Sequence, residues 1–271
     1  METFIAIETA EAEACRDMWR IAAPEYRAQF HMEENEGDGM TLLRMDFPPA
    51  HFNMALKVGL ESGLTAEMLD SVLDWYKAKG PQEFMILSHP KLNEPAAQEM
   101  MKERGLAAVG SWDRIFRDAS PLDEKHFAPK YEVVEVTEEF ADAWAEFIIQ
   151  AYNFGPLQPW LRRYMGARGW RHYVAMKHGK IAAARSFYTA SNGWVWSGVE
   201  APVPGFMTMD YDPDFEIWQR AIPDHIQAGA KGFVADIERV DDEQKLPSYR
   251  EFLGHFGFQL PYRRLHWAFP R

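Results

Sequence analysis

Arg171–Ala201 reads RHYVAMKHGKIAAARSFYTASNGWVWSGVEA, and Ala228–Glu238 reads AGAKGFVADIE. In the first stretch, apolar and aromatic runs at Trp170–Lys177 and Lys180–Tyr188 flank His178-Gly179. A glycine there supplies the left-handed backbone that a tight hairpin needs. Gly193–Glu200 follows as a third strand. A helix over Phe215–Ala228, closed by Gly229, then leads into a strand over Phe233–Glu238. Outward from this block, Glu132–Val136 reads as a preceding strand, with helices over Glu138–Tyr152 and Pro159–Met165. Ser248–Phe256 reads as a following helix and Arg263–Phe269 as a closing strand.

The first half has a similar plan. Ala10–His31 reads as a helix, Met32–Met40 as an acidic, glycine-containing connection, and Thr41–Phe47 as a strand stopped by Pro48-Pro49. His51–Leu60 is the next strand. Thr65 caps a helix that runs to Ala78, and Gly80-Pro81 ends it. Glu83–Ser88 is a short buried strand, Glu94–Arg104 a helix stopped at Gly105, and Gly110–Arg117 a strand. Ala119–Lys130 carries two prolines, mixed charge and no periodicity, which makes it the linker. The expected organisation is residues 1–118, a linker at 119–130, and residues 131–271, each half an α+β unit with a mixed central sheet flanked by helices.

The order strand, hairpin, strand, helix, strand, helix, strand resembles the GNAT N-acetyltransferase fold. The resemblance rests on Arg171–Ala201, on Ala228–Glu238 and on LPSYREFLGHFGFQLPYRRLHWAF (Leu246–Phe269). The first half is similar to the amino-terminal unit of tandem two-domain members through HFNMALKVGLESGLTAEMLDSVLDWYKAKG (51–80) and the later ERGL turn (103–106). It extends over most of the chain, from about Leu42 to Phe269. It implies two GNAT-like units in tandem, an acyltransferase activity, and acyl-CoA as co-substrate.

In that family a basic, glycine-rich stretch between the fourth strand and the next helix cradles the pyrophosphate with backbone N–H groups and the helix dipole. The equivalent stretch here is Pro202–Trp218, PVPGFMTMDYDPDFEIW, and it departs from the pattern. Pro213 removes a donor. Glu200, Asp210, Asp212, Asp214 and Glu216 are acidic, and no Lys or Arg stands between Arg185 and Arg220. A carboxylate about 5 Å from a phosphate repels it by roughly 1 to 3 kcal/mol. The expectation is therefore a degenerate pyrophosphate site, with CoA either bound unusually or not used.

Asp236 and Glu238 alternate on a strand and project from one face. In tandem members an acidic residue near this point lies by the acceptor site, so the resemblance makes Glu238 a candidate base. The same family places a tyrosine acid four residues before the Gly-Phe pair, where this chain has Leu253. Glu251 stands where the family has Asn. Tyr249 and His255 are the substitutes on that helix, about 600° of rotation apart; His255 suits proton transfer near neutral pH. Each also reads as an ordinary helix residue, and Glu238 as a solvated strand end.

Tyr211, Asp212 and Asp214 belong to an acidic run that admits three readings: a metal loop, a site for a cationic ligand, or a solvated loop. The calcium-loop pattern fails because Phe215 and Ala221 occupy the turn-glycine and bidentate-glutamate positions. Trp194 and Trp196 share a strand face with Tyr188 nearby, either a cation–π wall or core packing. Asn53 either lines a pocket or satisfies backbone groups.

The 271 residues carry 29 Lys+Arg against 41 Asp+Glu, a formal net charge of -12. That balance opposes nonspecific binding to nucleic acid and to anionic membranes, both of which require a basic footprint. Cys15 is the single cysteine, so no intrachain disulfide forms and a cysteine metal cluster is excluded. No apolar run approaches the roughly 20 residues of a bilayer span. Met1–Ala6 lacks a signal-peptide pattern, so the cytoplasm is expected. The leading expectation is an acyltransferase acting on an amine-bearing small molecule. The alternatives are a GNAT-fold enzyme independent of CoA that takes a cationic or amphiphilic small molecule, and a non-catalytic ligand-binding module.

Overall fold

The computed structural model describes residues 2–47, 50–80, 83–123, 128–202, 211–238, 243 and 246–270, without the side chains of Tyr211 and Asp212. In chain order its elements are α1 (Glu2–Ile21), α2 (Pro24–Gln29), β1 (Glu33–Gly37), β2 (Met40–Arg44), β3 (Met54–Leu56), α3 (Ala66–Lys79), β4 (Met85–Leu87), α4 (Pro95–Glu103) and β5 (Ala107–Asp118). They continue with β6 (Glu132–Glu135), α5 (Ala141–Tyr152), α6 (Gln158–Arg162), β7 (Trp170–Lys177), β8 (Lys180–Thr189), β9 (Trp194–Ala201), α7 (Tyr211–Gln227), β10 (Gly232–Glu238), α8 (Leu246–Phe256) and β11 (Gln259–Ala268). Among the described residues no helix is long and apolar enough to cross a membrane.

The chain forms two compact units. Unit 1 comprises Met1–Arg114, Ile237–Arg239 and Leu260–Arg271; unit 2 comprises Ile115–Asp236 and Val240–Gln259. A cut at residues 119–130 misses an exchange at the carboxyl end. β11 pairs antiparallel with β4, His266 against Leu87 and Trp267 against Ile86. Ser88 reinforces this pairing, its N–H donating to the Leu265 carbonyl and its hydroxyl accepting from the Leu265 N–H. The reason lies in packing: Trp267, 2% exposed, fills the unit 1 core with Leu69, Val72, Tyr76, Ile86 and Met101. The closing strand thus belongs to the first half's sheet, although it lies at the end of the sequence.

Unit 1 orders its strands β1-β2-β3-β4-β11-β5. The expected connection at Met32–Met40 is instead a hairpin, because Asp38 (φ 53°) and Gly39 (φ 74°) make a two-residue turn of left-handed backbone between β1 and β2. The expected first helix also divides. Pro24 forces Ala23 out of the helical region to ψ 147°, so α1 ends at Ile21 and α2 begins anew. Thr65 caps α3 as expected, accepting from the Met68 N–H at 3.2 Å, and Gly80 closes it in the left-handed region.

α1 buries two carboxylates that no periodicity revealed. Glu8 and Glu11 meet Arg114 at 3.1 and 3.0 Å, and both also pair with Arg264. The two guanidinium groups are fully buried. Tyr262 donates its hydroxyl to Glu8. Burial raises the Glu8 carboxyl, but the two arginines prevail and hold it below its ordinary range.

Unit 2 orders its strands β5-β10-β9-β8-β7-β6. β7 and β8 form the expected hairpin around His178 (φ 51°) and Gly179 (φ 73°). The face carrying Tyr173, Arg185, Phe187, Val195 and Phe233 is covered by α7 and α8, where Trp218 lies 5.0 Å from Phe187 edge-on. The other face carries Trp170, His172 and Trp196 against α5 and α6, with Trp144 and Tyr164 buried there.

Candidate active site

β9 and β10 run parallel, paired from Gly232↔Trp194 to Ala235↔Ser197. Both strands continue beyond that pair, β9 to Ala201 and β10 to Glu238, so they part. On its other side β9 pairs with β8, and the register jumps between Ser186↔Gly198 and Ala184↔Ala201. Two residues, Val199 and Glu200, therefore stand opposite the single residue Arg185. Val199 has φ 51°, a region a β-branched side chain seldom enters. This is a β-bulge, and it has a chemical consequence. In a regular strand Ser197 and Glu200 would point to opposite faces. The bulge turns both onto Arg185: its Nη1 donates to Ser197 Oγ at 3.1 Å and to Glu200 Oε2 at 2.5 Å.

Arg185 also donates from Nε to Asp214 Oδ1 at 2.6 Å, in the first turn of α7, and lies 5.2 Å from the Trp218 ring centroid. It is 1% exposed. The Glu200 side chain keeps 32% of its surface exposed, so it reaches solvent from beside a buried charge. The Tyr152 hydroxyl, at the end of α5, donates to the Glu200 carbonyl at 2.6 Å and pins the bulge. Partial desolvation of Glu200, with Asp214 and Asp236 nearby, outweighs the pull of Arg185, and its carboxyl is pushed up to about 7. That value suits a group that accepts a proton at neutral pH.

Asp236 and Gly198 are the first residues past the last β9–β10 pair. The Trp196 indole, 8% exposed, lies over Gly198 so closely that a Cβ there would stand 2.1 Å from the ring. Trp196 thus packs beside Trp170 on the face that α5 covers, while Glu200 and Asp214 meet Arg185 on the face that α7 covers and Asp236 acts on Glu200 from β10.

Several expected site residues lie elsewhere. Trp194 sits at the opposite end of β9, its ring packed over Gly232 and 6.2 Å from Phe116, because glycine there leaves the space an indole fills. Asn53 takes the packing reading: its Oδ1 accepts from the Met45 N–H at 2.9 Å, and it is 5% exposed. His255 faces α7, Nε2 at 2.7 Å from Gln219 Oε1 and its ring 4.4 Å from Phe215. Tyr249 is buried on the stripe of Phe252 and Phe256. Glu238 is the exposed last residue of β10. The side chains of Tyr211 and Asp212 lie outside the described residues.

The acidic loop also reads differently. Residues 203–210 lie outside the described residues, but α7 starts at Tyr211, four residues earlier than its apolar spacing suggested. Pro213 then falls in the first turn, where a missing N–H costs nothing. Asp214 and Glu200 share Arg185. Glu216, 3% exposed, accepts from the backbone N–H groups of Lys130 and Tyr131 at 2.6 and 2.9 Å. Three of the five carboxylates thus have partners inside unit 2, and Arg185 offsets one of their charges.

Unit 1 has its own parallel pair, β3 and β4, matched at Met54↔Met85 and Ala55↔Ile86. Two residues past each strand, His89 Nε2 lies 2.8 Å from the Val58 carbonyl and the ring is fully buried. Among the described residues no group of three or more His, Cys, Asp or Glu stands where it could hold a metal ion.

No protein-family model matches the chain, and no curated protein matches its sequence. Solved structures do match. A GCN5-related N-acetyltransferase from Kribbella flavida superposes with a TM-score of 0.63 at 11% identity, covering 98% of this chain and 95% of its own. Another from Sphaerobacter thermophilus gives 0.57 at 11%, covering 86% and 81%. A tandem GNAT protein from the clavulanic acid biosynthesis pathway gives 0.55 at 14%, covering 86% and 80%. At these identities the likeness shows the fold: the chain is α+β, with GNAT-like units in tandem.

Proposed function

We propose that this tandem GNAT-fold chain is an acyltransferase that moves an acyl group from acyl-CoA to an amine-bearing small molecule, in the cleft of unit 2. The observation that supports it is the parting of β9 and β10 beside the Val199 bulge, with Glu200 exposed at its edge and poised near neutrality. Acyl-CoA supplies an activated thioester carbonyl. The amine nitrogen bonds to that carbon, the carbon–sulfur bond breaks, and CoA leaves as its thiolate, which takes a proton from water. Glu200 accepts the proton that the acceptor nitrogen must lose, with the water-exposed third of its side chain as the exit path. Asp236 acts on Glu200 from β10, and a second carboxylate there favours a cationic acceptor.

The test is thiol release from acetyl-CoA in the presence of a panel of primary amines. Glu200→Gln is expected to lower kcat/KM by about 10²- to 10⁴-fold, the usual contribution of a positioned base. Glu238→Gln and Tyr249→Phe run beside it, since sequence favours them as base and acid. If wild-type protein releases no thiol and millimolar acetyl-CoA does not raise its melting temperature, CoA dependence is rejected. Ligand at 100 times its Kd would stabilise by about 2.7 kcal/mol.

A further inference from the structure

We propose that Arg185 is the positioning residue of the unit 2 cleft, fixing where Glu200 stands and when it is charged by holding Glu200, Ser197 and Asp214 on one guanidinium. The inference rests on the reading of Glu200 as the base, and it concerns a residue that touches no reacting atom.

The geometry carries it. Arg185 extends from β8 opposite the bulge, so the one extra residue in β9 is what brings Glu200 to it. Its Nε and Nη1 serve different elements, α7 through Asp214 and β9 through Ser197 and Glu200. A planar fork with fixed donor directions does this; a lysine, with one ammonium, reaches one side at a time. The Trp218 face, 5.2 Å away, fixes the plane of the guanidinium. Arg185 thereby ties the bulged end of β9 to the first turn of α7.

The groups facing Glu200 come from four other elements: Arg185 from β8, Tyr152 from α5, Asp214 from α7 and Asp236 from β10. Among these described groups Arg185 is the positive one. Burial and the two aspartates favour the protonated carboxyl, and Arg185 opposes them. Without Arg185 the carboxyl keeps its proton to higher pH; without the Asp214 charge it loses the proton at lower pH. An adjacent arginine moves a carboxyl by about 1 to 3 pH units, which is readily measured.

The experiment reads Glu200 directly. The full chain is labelled with carbon-13 at glutamate side-chain carboxyls, and the Glu200 signal is assigned by its loss in Glu200→Gln. Wild type is expected to titrate near 7. Arg185→Met is expected to raise the midpoint by about 1 to 3 units and Asp214→Asn to lower it. Arg185→Lys, which keeps the charge, is expected to restore most of the wild-type midpoint. A midpoint unmoved in Arg185→Met, or moved upward in Asp214→Asn, overturns the proposal. If Arg185→Met fails to fold, Asp214→Asn decides alone. The acid limb of the kcat/KM profile is expected to follow the same shifts, which a purely structural arginine would not produce. Midpoints that shift as expected in a protein that releases no thiol support the role of Arg185 and count against the acyltransferase reading alone.

Discussion

Replacing Gly198 by alanine adds one methyl group at the point where β9 leaves β10. Gly198 has no left-handed backbone to protect, so the cost comes from contact. The new Cβ would stand 2.1 Å from the Trp196 ring, where carbons prefer about 3.5 to 4.0 Å. The overlap of roughly 1.5 Å is too large for relaxation in place, and the ring must rotate away. Its surroundings resist, since Trp196 is 8% exposed and meets Trp170 edge-on at 6.3 Å. Overpacking of this kind costs about 1 to 3 kcal/mol. The control is Trp196→Ala, which costs about 3 to 5 kcal/mol by leaving a cavity. In that background Gly198→Ala meets nothing, and its cost is expected to vanish or become a gain of about 0.4 to 1 kcal/mol through the unfolded chain. The four proteins form a double-mutant cycle with a coupling of about 1 to 3 kcal/mol. Two compact units do not guarantee a single unfolding transition, so the measurement is hydrogen exchange of β8 and β9 amides. Equal costs of Gly198→Ala in both backgrounds would refute the placement of the indole over Gly198.

Two further outcomes follow from the buried charges. In unit 1, Arg264→Met leaves Glu8 and Glu11 sharing Arg114 in a fully buried setting and is expected to cost about 3 to 5 kcal/mol, read as a lower urea midpoint for unit 1 amides; a loss under about 1 kcal/mol would mean that water reaches the cluster. In unit 2, burial pushes His172 and His225 down to about 4, so the unfolded chain binds more protons and stability is lost as pH falls from 6.5 towards 4. Glu200 acts in the opposite sense, its raised carboxyl adding stability that is present below 4.5 and lost as pH rises through 7. With two groups against one, urea midpoints are expected to fall between pH 7 and pH 5, and more steeply in Glu200→Gln. A shallower fall in that variant would contradict the assignment.

Much of unit 2 was legible in the sequence, because its signals are local. The His178-Gly179 turn, the apolar runs beside it and the stop at Gly229 each act within a few residues. Asp38-Gly39 is an equally local hairpin signal that the acidic composition of 32–40 obscured. The site was less legible. Asp214 and Asp236 act on Glu200, while Trp196 packs over Gly198, Trp194 over Gly232, Asn53 holds a backbone N–H and His255 meets a neighbouring helix. Arg185 and Glu200 were missed as a pair. The available clues were a lone cation within the apolar run IAAARSFYT and a glycine before a β-branched residue in SGVEA, a pattern that marks bulges.

The sequence by itself determined the α+β class and the tandem plan, since these follow from periodicity and turn residues. Only the tertiary structure decided which carboxylates meet Arg185. A one-residue bulge reverses the direction of every side chain after it, and period-2 alternation cannot report that. Partner choice was likewise non-local: Glu216 turns to the backbone at Lys130 and Tyr131, Asp214 to Arg185, and β11 to β4. The acidic surplus that opposed a phosphate in the sequence is therefore partly held inside the fold, because the donors that hold these carboxylates lie far away along the chain and close in space.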